Sequence, residues 1–166
     1  MTIDPSEGRQ APAKLRLDRH FEPCPSGPGD ELYPNGIFEF NISRLIAFIG
    51  ANPDRFPIEL VQLADVPDYG HSNLDEKAIE AADLSRPILL AEIAPDRYDL
   101  IDGHHRVARA RRGGVHSIPA CRLRCPEHVA FLTSIRAYQA YVGYWNDKVD
   151  AISPAPSVRR WRGRPP

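Results

Sequence analysis

Three closely spaced apolar runs in the second half of the chain constrain its fold more than any other feature. Residues 87–93 are apolar enough to form a strand in the middle of a sheet. Residues 94–97 have the proline and aspartate typical of a turn, so residues 98–102 are expected to return as a hairpin partner. A helix then ends at Gly113-Gly114, and residues 116–123 form a further strand.

Further elements flank this stretch on both sides. Residues 37–41 alternate as a half-buried strand, and residues 42–50 carry apolar side chains at helical spacing. Residues 57–63 predict another strand, and residues 74–83 another helix. Residues 126–147 predict a long amphipathic helix that begins at a proline. The predicted order is β-α-β-α-β-β-α-β-α, which is a mixed α/β domain with a small mixed sheet and flanking helices.

Proline is concentrated at the two ends of the chain and marks the predicted domain boundaries. Of the 17 prolines, six lie in residues 1–34 and four in residues 151–166. The sequence therefore predicts a flexible Pro/Gly-rich arm over residues 1–35 and a domain over residues 36–148. A basic Pro/Arg tail is expected over residues 149–166.

Composition excludes several classes of protein. The net charge is −1, so bulk charge gives the chain no affinity for polyanions. No run of about 18 apolar residues predicts a transmembrane helix, and the N-terminus has no apolar segment typical of a secretory signal. Three cysteines are a small and odd number, which argues against a disulfide scaffold and favours a reducing, cytoplasmic location. Because no apolar span is present, no membrane partner is expected.

The segment Asp102-Gly103-His104-His105-Arg106 joins a predicted strand to a predicted helix and has the features of an anion site. The first-turn N–H groups of a helix lack intrahelical partners, and the helix dipole adds partial positive charge there. Gly103 lets the backbone approach a ligand closely. The guanidinium of Arg106 can donate two hydrogen bonds at once to phosphate oxygens. His104 and His105 can donate hydrogen bonds or transfer protons, while Asp102 can bind Mg²⁺ or accept a proton. The alternative interpretation is an ordinary Asp N-cap followed by surface histidines.

The run PILLAEIAPDRYDLIDGHHRVARARRGGVHSIPACRL resembles the core of the ParB/sulfiredoxin superfamily, over roughly residues 36–125. Members of that superfamily include CTP-binding partition proteins, ATP-using sulfiredoxins, free serine kinases that use ADP or ATP, and some nucleases. The resemblance implies that nucleotide phosphates bind at the start of this helix, where Gly103 and Arg106 match the shared motif. His105 matches the histidine of sulfiredoxins, and the whole pentapeptide is similar to the Asp-Gly-His-x-Arg form of the ParB-like free serine kinases.

The sequence departs from three of these branches, the sulfiredoxins, the partition proteins and the serine kinases. Sulfiredoxins have their catalytic cysteine where this chain has His104. Partition proteins carry Glu-Arg-Arg after the glycine and a helix-turn-helix domain downstream, whereas this chain has only a helix and a tail. Serine kinases place a catalytic glutamate in a loop after the first strand, and Glu39 is the nearest substitute here.

The resemblance therefore implies a nucleotide-binding protein that carries out Mg²⁺-dependent phosphoryl transfer or NTP hydrolysis. The expected cofactors are ATP, ADP or CTP with Mg²⁺. Asp102 and His104 are the catalytic candidates, and Asp102 is also the candidate metal ligand. Gly103, His105 and Arg106 are expected to hold the phosphates. The alternatives are a non-catalytic DNA-associated module for plasmid or phage regulation or partition, and a nuclease, for which only Asp99 and Asp102 supply nearby carboxylates.

The C-terminal tail is a candidate nucleic-acid contact. Arg159, Arg160 and Arg162 surround Trp161, and a cationic segment with one aromatic can bind DNA by charge and stacking. The alternative is a terminus that contributes only solubility.

Two further patterns have structural interpretations. No zinc is expected, because Cys121 and Cys125 lie in a strand and its exit without a second pair of ligands at suitable spacing. Tyr138, Tyr141 and Trp145 share one face of the last helix, which predicts a core stripe or an oligomer contact.

Overall fold

The computed structural model describes residues 11–67 and 74–153, and its strands and helices confirm a mixed α/β protein. The strands are β1 (Leu32–Asn35), β2 (Phe38–Asn41), β3 (Ile58–Gln62), β4 (Ile88–Ala94), β5 (Arg97–Asp102) and β6 (Ser117–Leu123). The helices are α1 (Ile42–Ala51), α2 (Glu76–Ala81), α3 (His104–Arg112) and α4 (Ile135–Ile152), with short 3-10 turns at Leu63–Asp65 and Val129–Phe131. Within these residues, no helix is both long enough and apolar enough to cross a membrane.

A four-stranded sheet in the order β3-β6-β4-β5 forms the centre of the fold. β4 and β6 run parallel, while the β3–β6 and β4–β5 pairs are antiparallel. Side chains alternate between its faces, so Leu89 and Ala91 pack toward α1 and α4 while Ile88 and Leu90 pack toward α3. β4 is therefore buried on both faces, as its continuous apolar sequence predicts.

β1 and β2 form a separate antiparallel hairpin, and β1 lies inside the segment that the sequence analysis assigned to the flexible arm. Asn35 pairs with Phe38 across a tight turn in which Gly36 has a φ of 64°. Asn-Gly between apolar residues is a strong hairpin signal, because glycine adopts positive φ without steric penalty. The high proline content of the surrounding residues led to the prediction of a flexible arm in spite of this signal.

The residues that precede β1 also lie against the domain, along α4. Asn146 accepts a hydrogen bond from the Leu15 N–H at 2.8 Å and donates one to the Leu15 carbonyl at 2.9 Å. The ring of Phe21 stacks on Tyr138 with centroids 3.9 Å apart. Together with the core, this segment buries the aromatic stripe of α4, whose members are Tyr138, Tyr141 and Trp145. Burial within the chain explains the stripe, so an oligomer contact through it is not supported.

The predicted start of the last helix at Pro126 is wrong. Residues 126–131 form turns instead, and α4 begins after Ser134, whose side chain accepts a hydrogen bond from the Ala137 N–H. Just before it, the Thr133 N–H donates to the carbonyl of Glu39 in β2. This backbone pairing competes with helix formation and delays the helix, although the apolar spacing runs through both segments.

Candidate functional site

The predicted anion site lies where β5 ends and α3 begins. Gly103 occupies the N-cap position of α3 with a φ of 102°, a conformation that favours glycine. A Cβ atom there would lie 2.6 Å from Cγ2 of Ile88 and 3.0 Å from Nη2 of Arg106. Packing against β4 therefore requires a glycine at this position, independently of any ligand.

The N-terminus of α3 has no cap from a side chain within the described residues. Gly103 lacks a side chain, and the first turn carries no acidic residue that would neutralise the helix dipole. The alternative interpretation, in which Asp102 is an ordinary N-cap, is therefore wrong. The first turn of α3 retains the electrostatic character of an anion site.

Asp102 instead forms an ion pair with Arg106. Nη2 of Arg106 donates to Oδ2 of Asp102 at 2.8 Å and to the carbonyl of Pro87 at 3.2 Å. The Asp102 side chain is only 16% exposed and the Arg106 side chain only 13% exposed. The Nε atom of Arg106 is buried and has no hydrogen-bond partner among the residues that the structure describes. Arg106 is thus anchored by one end of its guanidinium and keeps an unused donor at the other.

All five motif residues line one cavity of about 630 Å³, which we call the polar cavity. Its remaining walls come from the N-terminal hairpin region and from α2 with the residues that flank it on both sides. They are Glu31, Tyr33, Pro34, Leu74, Ala78, Ala81, Ala82, Asp83 and Arg86. The structure therefore brings together every motif residue that the sequence predicted, and it adds walls that the sequence analysis did not assign.

Tyr33 is one such addition. Its ring lies 4.9 Å from the ring of His104, centroid to centroid. Burial raises the pKa of the Tyr33 hydroxyl, and the nearby Asp99 carboxylate raises this pKa further. Tyr33 therefore keeps its proton in the physiological range and provides an aromatic surface and a neutral donor beside the motif. The Asn-Gly hairpin signal was the clue that places Tyr33 in an ordered strand.

Asp83 and Arg86 extend the charge of the cavity beyond the motif. Hydrogen bonds from the Ser85 hydroxyl, which has the larger effect, and from the Ser85 N–H lower the pKa of Asp83. This carboxylate therefore stays charged. Arg86 is exposed and lies two residues before β4. The cavity thus combines three carboxylates, from Glu31, Asp83 and Asp102, with two guanidinium groups and two imidazoles.

The other arginines of α3 hold the helix in place. Arg109 donates to the Ala82 carbonyl at 2.6 Å and Arg111 to the Val66 carbonyl at 2.9 Å. Arg112 forms a two-bond ion pair with Glu76 of α2. These contacts fix α3 against its neighbours, so the arginines act within the chain and not as a simple solvated face.

Several other candidate residues lie away from the polar cavity. Glu39 accepts a hydrogen bond from the Thr133 hydroxyl at 2.6 Å. Asp99 is buried and accepts from the Asn35 amide, so it does not join Asp102 in the cavity wall. Cys121 is buried in β6, and Cys125 lines a different cavity. Within residues 11–67 and 74–153, no three His, Cys, Asp or Glu side chains form a group suited to a metal ion. The tail candidates Arg159, Arg160, Trp161 and Arg162 lie outside the described residues.

No known protein-family model matches this chain, and no curated protein matches it. The resemblance to the ParB/sulfiredoxin superfamily therefore stays a prediction that rests on the motif and on the order of the surrounding elements.

Proposed function

We propose that the chain binds the phosphates of a nucleotide at the start of α3 and catalyses Mg²⁺-dependent phosphoryl transfer or NTP hydrolysis. The observation that carries this proposal is the uncapped first turn of α3 beside the unused Nε donor of Arg106. Both features favour a multivalent anion, because helix N–H groups and a guanidinium edge are the donors that phosphate oxygens accept best.

The size and walls of the polar cavity favour a nucleotide over free phosphate. A volume of about 630 Å³ lies well within the range for small-molecule and cofactor sites. Tyr33, Leu74 and Ala78 offer apolar and aromatic surface on which a base or ribose can rest. Arg86 supplies a second cation for a chain of phosphates.

The carboxylates of the cavity suit a phosphate-bound Mg²⁺. This ion commonly binds one or two carboxylates and completes its shell with phosphate oxygens and water. Asp102 and Asp83 are the residues that would hold it, and its charge would offset that of the phosphates. Asp102 already shares one oxygen with Arg106, so its second oxygen is the group that would contact metal or accept a proton.

In the proposed reaction, the protein contributes position and charge. Phosphoryl transfer requires little covalent participation from protein groups. Arg106 and the α3 N–H groups would stabilise charge on the transferred group, while His105 would help to hold the phosphates. His104, whose ring contacts that of Tyr33, would donate or accept a proton at the cavity wall. Membership of the ParB/sulfiredoxin superfamily is part of the same proposal.

Calorimetric titration of ATP, ADP and CTP, with and without Mg²⁺, tests the binding site. Arg106→Ala is expected to weaken nucleotide binding by about tenfold to a hundredfold, the usual effect of losing a charged hydrogen bond. Arg136→Ala is the matched control, since Arg136 is an exposed arginine of α4 that does not line the polar cavity. Release of inorganic phosphate from each nucleotide measures turnover.

The loss of Arg106 also leaves Asp102 without its partner, so a second variant is needed. Asp102→Asn/Arg106→Gln removes both charges and avoids an unpaired carboxylate. If this variant unfolds in urea like the wild type and still binds weakly, the effect is assigned to the site and not to misfolding. If Arg106→Ala binds all three nucleotides as tightly as the wild type, the proposed site is wrong.

A further inference from the structure

A second cavity lies on the opposite side of the Asp102–Arg106 pair, between α1 and the sheet. Its volume is about 300 Å³, and its walls are almost entirely apolar. We call it the apolar cavity. The side chains that define it are Ile46, Ile49, Phe56, Ile58, Leu89 and Cys121.

The apolar cavity opens to solvent along the edge of the sheet. Ile58 of the edge strand β3 is 63% exposed, and Ile46 of α1 is 37% exposed. Leu60, two residues further along the same face of β3, is 73% exposed. Exposed aliphatic side chains that border a concave apolar surface are typical of a binding site.

One wall of the apolar cavity is charged and is shared with the polar cavity. Arg86, Asp102 and Arg106 line both. Asp102 neutralises Arg106 through their ion pair, so Arg86 leaves this wall with an excess of positive charge.

These features favour a small molecule over a protein partner. A volume of about 300 Å³ is at the lower end of the range for small-molecule sites. A stable protein interface buries roughly 1,000 Å² or more, which three exposed aliphatic side chains at a cavity mouth do not provide. The apolar walls match an aliphatic or aromatic body, and the cationic wall matches an anionic group.

We propose that the apolar cavity binds a small anionic molecule with a short aliphatic or aromatic body. The body would lie between α1 and β3, and its carboxylate or phosphate group would contact the exposed Arg86 at the shared wall. This site shares Arg86 and Arg106 with the polar cavity, but its apolar walls are its own, so binding here can be measured without nucleotide.

Gly50 allows the cavity to be blocked without disturbing the fold. It lines the apolar cavity near the end of α1, and a Cβ atom built there meets no heavy atom within 4 Å. Gly50→Leu should fill the cavity and should also favour the helix, since leucine has the higher helix propensity. Gly143→Leu is the matched control, because Gly143 is an exposed glycine of α4 with equally open surroundings. Arg86→Gln removes charge from an exposed position at the shared wall.

Calorimetry and methyl NMR with hexanoate, hexyl phosphate and neutral 1-hexanol test the proposal on the full chain. The two anions are expected to bind to the wild type and to Gly143→Leu, and to shift the methyl signals of Ile46 and Ile58. Gly50→Leu should weaken their binding by about tenfold or more. Arg86→Gln should reduce the affinity of the anions to that of 1-hexanol. The comparison of hexanoate with hexyl phosphate identifies the preferred anionic group.

Three results would overturn the proposal. One is the absence of binding by all three probes at millimolar concentration. Another is equal affinity in Gly50→Leu and the wild type. The third is a wild-type dimer, detected by analytical ultracentrifugation, that Gly50→Leu abolishes while Gly143→Leu retains it, since a second copy of the chain would then occupy this face.

Discussion

The buried imidazole of His128 is expected to make the stability of this fold depend on pH. The residue is 0% exposed, and its Nε2 lies 3.0 Å from the hydroxyl oxygen of Tyr141. The Tyr141 hydroxyl donates to the carbonyl of Glu92 at 2.7 Å, so we assign the imidazole proton to Nε2, which then donates to the Tyr141 oxygen. Burial lowers the pKa of His128 from 6.5 to about 4, although the Arg124 and Glu92 carbonyls oppose the shift.

The sign of the effect follows from proton binding in the two states. Below about pH 6.5 the unfolded chain protonates this histidine, whereas the folded protein keeps it neutral until about pH 4. The contribution of His128 therefore makes the free energy of unfolding fall as the pH falls through this window. Above this window, His128 has no effect on the free energy of unfolding. At about 1.4 kcal/mol per pH unit, the difference between the two pKa values corresponds to a loss of about 3 kcal/mol.

Urea unfolding followed by circular dichroism, at pH values between about 4.5 and 7.5, measures this loss. His128→Gln keeps a donor at the Nε2 position and should remove most of the pH dependence of unfolding in this window. His116→Gln is the control, since His116 is exposed and its replacement should leave the wild-type dependence in place. The reasoning is refuted if His128→Gln loses as much stability on acidification as the wild type. Imidazole NMR of the wild type gives an independent check, because a His128 signal that titrates near 6.5 would contradict the burial argument.

Three further predictions concern the site, the thiols and the tail. Gly103→Ala should lower the free energy of unfolding, measured with urea, by about 2 kcal/mol or more. Gly114→Ala should have a smaller effect, because Gly114 also has a positive φ but has open surroundings. Burial raises the pKa of the Cys121 and Cys125 thiols to about 11. Both thiols should therefore react slowly with an aromatic disulfide reagent at pH 8 until the protein unfolds. Rapid reaction of these thiols in the folded protein would contradict this prediction. Removal of residues 154–166 should reduce DNA binding and its salt dependence in a salt series, and equal, salt-insensitive binding by both chains would remove the tail from consideration.

The sequence predicts the central sheet well because local and tertiary preferences agree there. β4 is apolar on both faces, and the structure buries both of its faces. The hairpin to β5 and the helix that ends at Gly113 likewise have strong local signals. Where the chain also forms long-range contacts, the sequence is less informative. The spacing of apolar residues is helical from Val129 onward, yet pairing of this segment with β2 delays α4 until Ile135.

The distant residues that line the polar cavity were harder to predict than the five motif residues that line it. The five motif residues are contiguous, so local reasoning finds them together. Tyr33 and Arg86 reach the same cavity from distant parts of the chain, and only the register of the hairpin and the sheet brings them there. The proline-rich composition around Tyr33 favoured an unstructured arm, although the adjacent Asn-Gly turn indicated a hairpin.

The ion pair at the start of α3 changes how the motif must be interpreted. Sequence reasoning gave Asp102 and Arg106 separate roles, as base or metal ligand and as phosphate binder. Their i, i+4 spacing already allowed contact, and the structure shows that they are bonded at 2.8 Å. Because both are largely buried, a proton or metal ion on Asp102 would weaken its hold on Arg106 and free the guanidinium for an anion. In the proposed function, binding of a cation and binding of a phosphate would therefore reinforce each other at this site.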